Sequence, residues 1–179
     1  LFRTDLAGGA ILDVGLYPIS FSRLIAGAAL GKKFINPKTI TGRAKIGETQ
    51  VDEISYATLQ FENGIIAEAS TAIRKEMKNN AIIEGTKGII EIDQPWTLGK
   101  EGGPYHSAFK IIIKDQIETI EFKGPEHLFF FEAELASKTI LQEKTEVTYP
   151  GMTWEDTLGN LKTLDEWRKS IGYLLSQDS

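Results

Sequence analysis

From Thr39 to Phe122 the chain alternates apolar and polar residues with a period of two, and short turns punctuate the alternation. Thr39–Ile46, Glu53–Phe61, Ile65–Arg74, Ala81–Glu84, Ile89–Asp93, Phe109–Lys114 and Ile117–Phe122 read as strands. Glu62-Asn63-Gly64 is a hairpin signal, because Asn and Gly tolerate the positive φ angles of a tight turn. Thr86-Lys87-Gly88 and Asp115-Gln116 close two further hairpins. Connections this short exclude parallel crossovers, which need about a dozen residues or more, so the strands must pair antiparallel.

Helical spacing flanks this run on both sides. Thr4 and Asp5 are N-cap types, and Leu12, Leu16, Ile19 and Leu24 place a helix over about Gly8 to Ala26. Pro18 predicts a kink directly after Tyr17, and Gly27 is the expected C-cap. After an irregular loop from Gln94 to Ser107, helical pattern returns at Glu126–Gln142 and at Trp154–Leu175, with Thr153 as N-cap of the last helix. Tyr149-Pro150-Gly151 separates the two. Segregated helices and strands predict an α+β fold, an open and mainly antiparallel sheet with helices packed on one face. The other face of Ile65–Arg74 shows Ile66, Glu68, Ser70, Ala72 and Arg74, which suits either a solvated surface or a subunit interface.

Composition removes several function classes. Hydrophobic residues make up 41% and charged residues 25% of the 179, ordinary for a globular chain. A net charge of −5 argues against nucleic acid as a partner. The absence of cysteine excludes disulfides, thiolate metal sites and a cysteine nucleophile, and fits a cytoplasmic location. No apolar run approaches the ~20 residues of a membrane helix, so no membrane partner is expected. His106 and His127 are the only histidines, and neither has an acid at ligand spacing; no metal site is expected. The opening Leu1-Phe2-Arg3-Thr4 reads as the lead-in to a helix, so a fragment or a trimmed chain is expected.

One stretch carries candidate chemistry. Gly8 to Tyr17 places Asp13 and Tyr17 four residues apart, on one helix face and one turn from each other. The surrounding glycines leave bare backbone that another segment or a flat ligand can approach. A phenol beside a carboxylate against open backbone suits proton transfer. Equally, a helical tyrosine of this kind can be a core residue with its hydroxyl satisfied. Gly8-Gly9 lacks the preceding strand and the third glycine of a dinucleotide fingerprint.

The segment from Gly8 to Pro18 resembles the opening of the second domain in the glucose–fructose oxidoreductase / inositol dehydrogenase (Gfo/Idh/MocA) family. Ile40 to Arg43 followed by Val51-Asp52-Glu53, then Gly85 to Gly88, Phe131-Glu132-Ala133 and Trp154 to Gly172 match in the same order, closest to the dihydrodiol dehydrogenase branch. The resemblance implies that residues 1–179 are a C-terminal substrate-binding and oligomerisation domain without its N-terminal Rossmann domain. It implies NAD or NADP as cofactor, bound mainly by that other domain. It also implies a hydride transfer between nicotinamide and a sugar, polyol, diol or related carbonyl compound. The partners it implies are a small-molecule substrate, the chain's own Rossmann domain and a second copy bound through the sheet face to give a homodimer. An isolated fragment would be inactive. A non-catalytic dimerisation or ligand-binding module of the same fold is the alternative.

Carried onto this sequence, the family pattern makes Tyr17 the proton-transferring residue and Asp13 the residue that orients it or contacts substrate. Free phenols titrate near pH 10, so a tyrosine base needs a nearby cation, whereas a tyrosine acid needs none. Arg43 aligns with a substrate-polarising arginine, its guanidinium offering fork-shaped donors. Trp96 and the run Phe129-Phe130-Phe131 would line an apolar substrate wall or else belong to the core; His127 lies beside them.

Overall fold

The computed structural model describes residues 1–97, 103–175 and 178. They form two compact units, one of residues 1–77 with 148–179 and one of residues 78–147. The helices are α1 (Ala10–Val14), α2 (Leu16–Ala29), α3 (Leu128–Leu141) and α4 (Trp154–Ser170). The α+β, antiparallel class expected from the sequence is what the chain adopts, but the strands are divided between two sheets.

In the first unit, β1 (Thr39–Ile46), β2 (Asp52–Gln60) and β3 (Ile66–Ala72) pair in the order β1-β2-β3. Ala57 lies opposite Gly42 and Ala69, and Leu59 opposite Ile40 and Ala67. The β2–β3 turn uses the Asn-Gly pair as its chemistry dictates. Asn63 and Gly64 take φ of 57° and 74°, and the Phe61 amide donates to the Ile65 carbonyl at 2.8 Å.

One face of this sheet is buried. Ser55, Ala57 and Leu59 on β2, with Ala69 and Thr71 on β3, are covered by α1, α2 and α4. The core joins Ile11, Ile19, Ala26, Leu59, Phe61, Leu164 and Trp167. Burying each large member stabilises the fold by about 1.5–3 kcal/mol. The end of α4 packs closely on the sheet at Gly42: a Cβ there would sit 2.6 Å from Ser170 Oγ and 2.7 Å from Ile171 Cγ2. The opposite face carries Ile54, Tyr56 and Thr58, all half-buried.

A buried charge ties α2 to α4. Arg23 is fully buried, and its guanidinium donates to the Asp156 carboxylate, to the Asp156 carbonyl at 3.0 Å and to the side chains of Asn160 and Asn36. It also lies 5.0 Å over the Phe34 ring. Burial pushes the Arg23 pKa down, and Asp156 works against that shift. At the start of α4, Thr153 Oγ1 accepts from the Asp156 amide at 3.2 Å, the expected cap.

Three local expectations are corrected. The helix breaks at Gly15, not after Tyr17. The Gly15 amide closes α1 on the carbonyls of Ala10 and Ile11, and the segments Thr4–Val14 and Leu16–Ala29 meet at a 44° bend. Pro18 falls in the first turn of α2, where an amide has no intrahelical acceptor, so its missing N–H breaks nothing. Gly27 does not end the helix: it is buried inside α2 because the backbone of Phe34 passes too close for any Cβ, and the left-handed residue is Gly31 (φ 68°). Thr4 and Asp5 make a short 3-10 turn and cap no α-helix.

The second unit contains β4 (Asn80–Gly85), β5 (Gly88–Asp93), β6 (His106–Ile113) and β7 (Gln116–Lys123), paired in that order, with α3. None of its described residues is buried. The expected Gln94–Ser107 loop lies partly outside the described residues, and β6 already begins at His106.

Among the described residues no single helix is long and apolar enough to cross a membrane. The bent pair ending in α1 and α2 has the length and composition for it, but its apolar residues Ile11, Ile19 and Ala26 belong to the core.

Candidate functional site

The site grows from a glycine turn. Ala7 and Gly9 take φ of 52° and 110°. The amides of Gly8 and Gly9 donate back to the carbonyls of Arg3 and Leu1, each at 2.9 Å. This turn delivers the chain into α1 with Gly9 as N-cap, a residue with no side chain to satisfy the first amides. A strand supplies what the helix lacks. Asp52, fully buried at the start of β2, accepts from the Ile11 amide at 2.9 Å and from the Ser55 hydroxyl at 2.7 Å. Its other oxygen, Oδ1, is buried with no hydrogen-bond partner among the described residues. Thr71 Oγ1 donates to the Ala10 carbonyl at 3.2 Å, and the Tyr173 hydroxyl to the Gly8 carbonyl at 2.9 Å. Burial pushes the Asp52 carboxyl pKa up, opposed by the Ser55 hydroxyl and the Ile11 amide. Burial, with the Asp52 charge, raises the Tyr173 phenol.

Ile11, Gly15 and Ile19 form the buried stripe of the bent pair. Asp13 and Tyr17 lie on the other side, both exposed; Tyr17 keeps 50% of its surface accessible. The phenol is therefore not sealed in the core. The two residues belong to different helices, with Gly15 as the joint between them.

The other candidates are placed elsewhere. Arg43 is exposed on β1, its guanidinium 4.6 Å over the ring of Tyr56, on the face opposite the one Gly42 turns toward α4. Trp96 is half-buried beyond β5, in the second unit. Phe129, Phe130 and Phe131 are exposed on α3, so they form no core there; Phe131 packs edge-on to Tyr105 at 5.1 Å. His127 caps α3, its Nδ1 accepting from the Phe129 amide at 3.3 Å. An open cleft of about 540 Å³ is lined by Thr4, Asp5, Ile46, Gln50 and residues 172–175, and includes none of the predicted site residues. Among the described residues no three His, Asp or Glu side chains gather in a metal-holding group.

Sequence reasoning quoted Asp52 without a role for it. The only signal was indirect: a helix opening on Gly-Gly has no capping side chain of its own, which leaves its first amides to an acceptor from elsewhere or to water. The same geometry settles what Gly8-Gly9 is for. A Cβ at Gly8 would collide with the carbonyls of Leu1 and Arg3, and one at Gly9 with the Asp52 carboxylate. The space beside these glycines is filled by protein and by a negative group, which does not fit a pyrophosphate.

The family model for the GFO/IDH/MocA C-terminal domain matches residues 1–91. Among curated proteins, the mouse trans-1,2-dihydrobenzene-1,2-diol dehydrogenase is 33% identical over 90 residues, covering 50% of this chain and 25% of that protein. The zebrafish enzyme of the same name is 29% identical over 188 residues, covering 99% of this chain and 50% of that protein. The chain thus spans a quarter to a half of the length of these relatives. Among solved structures, a 3-ketoreductase from Actinomadura kijaniata superposes with a TM-score of 0.75 at 22% identity, over 95% of this chain and 48% of that one. A UDP-N-acetylglucosamine 3-dehydrogenase from Acidithiobacillus ferrooxidans does so with a TM-score of 0.70 at 12% identity, over 92% and 48%. At those identities the likeness is one of fold. With half of its length matched by the family model, the chain belongs to the GFO/IDH/MocA C-terminal domain family.

Proposed function

We propose that the chain is the C-terminal, substrate-binding half of an NAD(P)-dependent oxidoreductase that moves hydride between nicotinamide and a sugar, polyol, diol or related carbonyl compound. The matched relatives are diol dehydrogenases. The Actinomadura ketoreductase was crystallised with NADP, and an Agrobacterium radiobacter oxidoreductase of the same fold with NAD+ and L-tartaric acid. The observation that carries the reading is the exposure of Tyr17, half accessible on a bent helix pair whose opposite stripe is locked into the core.

The cofactor supplies or accepts the hydride; this chain handles the proton. In the reducing direction the Tyr17 hydroxyl gives its proton to the substrate carbonyl oxygen, and in the oxidising direction the phenolate takes it back. Asp13, across the Gly15 joint, orients the phenol. Because the Gly8-Gly9 turn does not fit a pyrophosphate, the nucleotide is held mainly by a Rossmann domain outside these residues. The 179-residue chain alone should therefore show no measurable NAD(P)H binding in a fluorescence titration, and micromolar binding would overturn that assignment. Arg43, stacked on Tyr56, serves the open sheet face and is given no step, nor is Trp96. That open face, with Ile54, Tyr56, Thr58 and an Ile66 that is 62% exposed, is the surface through which two copies pair in a homodimer. A chain without cysteine needs no oxidising compartment, and a cytoplasmic location belongs to the same proposal.

The decisive experiment is Tyr17→Phe in the complete protein. Loss of a general acid lowers kcat by about 10²–10⁴-fold with little change in KM. Unchanged turnover would remove Tyr17 from the mechanism, whereas no turnover by the unaltered complete protein with any such substrate would leave a non-catalytic binding or dimerisation module.

A further inference from the structure

We infer that Asp52 is the positioning residue for the Asp13–Tyr17 pair: from the first residue of β2 its carboxylate seats the start of α1 and so sets where both side chains stand. The inference rests on the reading of Tyr17 as the proton-transferring group.

Three observations support it. First, α1 has only five residues, too few to hold its own shape in water. Its start is fixed from outside, by Asp52 at the Ile11 amide, Thr71 at the Ala10 carbonyl and Tyr173 at the Gly8 carbonyl. These grips come from β2, β3 and the segment after α4, so residues 8–11 are held from three directions. Second, Gly9 is needed for Asp52 to approach, since any Cβ there would overlap Oδ1. Third, the carboxylate is seated at a cost. It is fully buried, and Oδ1 finds no hydrogen-bond partner among the described residues. A buried carboxylate fixed by the Ser55 hydroxyl and met by the Ile11 amide acts as a geometric stop for the helix start. Beyond Ile11 only one turn and the Gly15 joint separate this stop from Tyr17. A shift of about 1 Å at a reacting group can cost 10²-fold in rate.

The test uses Asp52→Ala and Asp52→Asn in the complete protein, with Tyr17→Phe measured alongside. Asp52→Ala should speed amide exchange of residues 11–15 at least about tenfold relative to α4, and lower kcat by about 10–100-fold while KM stays within about threefold. Asp52→Asn keeps an oxygen acceptor for the Ile11 amide and should restore most of both. If Tyr17→Phe is inactive while Asp52→Ala turns over normally, the inference fails and the Tyr17 reading stands. Exchange that rises equally in α1 and α4, with Asn giving no rescue, would reduce Asp52 to a general stabiliser and also overturn it. Normal turnover by Tyr17→Phe removes the parent reading whatever Asp52 does. Should Asp52→Ala not fold, Tyr173→Phe releases the Gly8 carbonyl and Ser55→Ala frees the carboxylate; each should lower kcat about threefold, roughly half a decade of the positioning effect, and no change in either overturns the inference.

Discussion

The two units are built from the same strand chemistry and reach different ends. Each contains antiparallel strands closed by tight turns. In the first, every strand meets a second layer: α4 over β1, α1 over β2 and β3, and α2 over β3. In the second, β4 to β7 pair with one another, yet none of the described residues is buried, and α3 exposes Phe129, Phe130, Leu135, Ile140 and Leu141. Alternation is enough to make a ladder; a core needs a second apolar layer that fits it. The first unit is accordingly where a helix can be held still enough to carry chemistry.

The largest effect that would sharpen this contrast is at Trp167. It is fully buried and its indole N–H donates to the Tyr56 carbonyl at 3.2 Å. Trp167→Ala should destabilise the first unit by about 3–5 kcal/mol in a urea titration. A cost under about 1 kcal/mol would mean that the core does not hold that unit together. Next, Asp156→Ala strips the buried Arg23 of its counter-charge and should cost about 3 kcal/mol by the same measurement; Asp156→Asn, which keeps an oxygen acceptor for the guanidinium but not the charge, should recover only part.

A smaller, pH-dependent effect belongs to Asp52. Its carboxyl titrates above the ordinary value because it is buried, so the native protein holds that proton to higher pH than the unfolded chain does. The stability this gives is complete below about pH 4, the ordinary aspartate value, and declines as pH rises through the raised native value. Asp52→Asn cannot titrate, so its melting temperature relative to the parent should climb across that rise and be flat below it. A difference independent of pH would show that Asp52 is not buried in solution. The smallest effect is expected at Phe130, which is 46% exposed on α3. Phe130→Ala should change stability by no more than about 0.5 kcal/mol, and a cost near that of Trp167→Ala would erase the distinction between the units.

Features whose cause is local were legible in the sequence. The bounds of β1 follow from alternation alone. The β2–β3 turn follows from Asn63-Gly64, and the start of α4 from the Thr153 hydroxyl, because in each case the deciding contacts lie within a few residues. The candidate site was half legible. The four-residue interval between Asp13 and Tyr17 put both on the exposed side of a bent helix pair, as the sequence suggests. The joint between them was misassigned, since proline breaks helices in their interior and Pro18 is not in an interior.

What the sequence by itself determined is which segments become strands, turns and helices, together with the residue types available for proton transfer. Only the tertiary structure decided that the strands divide into two sheets and that Arg43 stands on the face away from α4. It alone brought Arg23 to Asp156 across 133 positions, and Asp52 to the Ile11 amide across 41. The reason is physical. A period or a turn is set by neighbours along the chain, whereas a buried charge finds its partner, and a capless helix its cap, only after distant elements have packed together and excluded water.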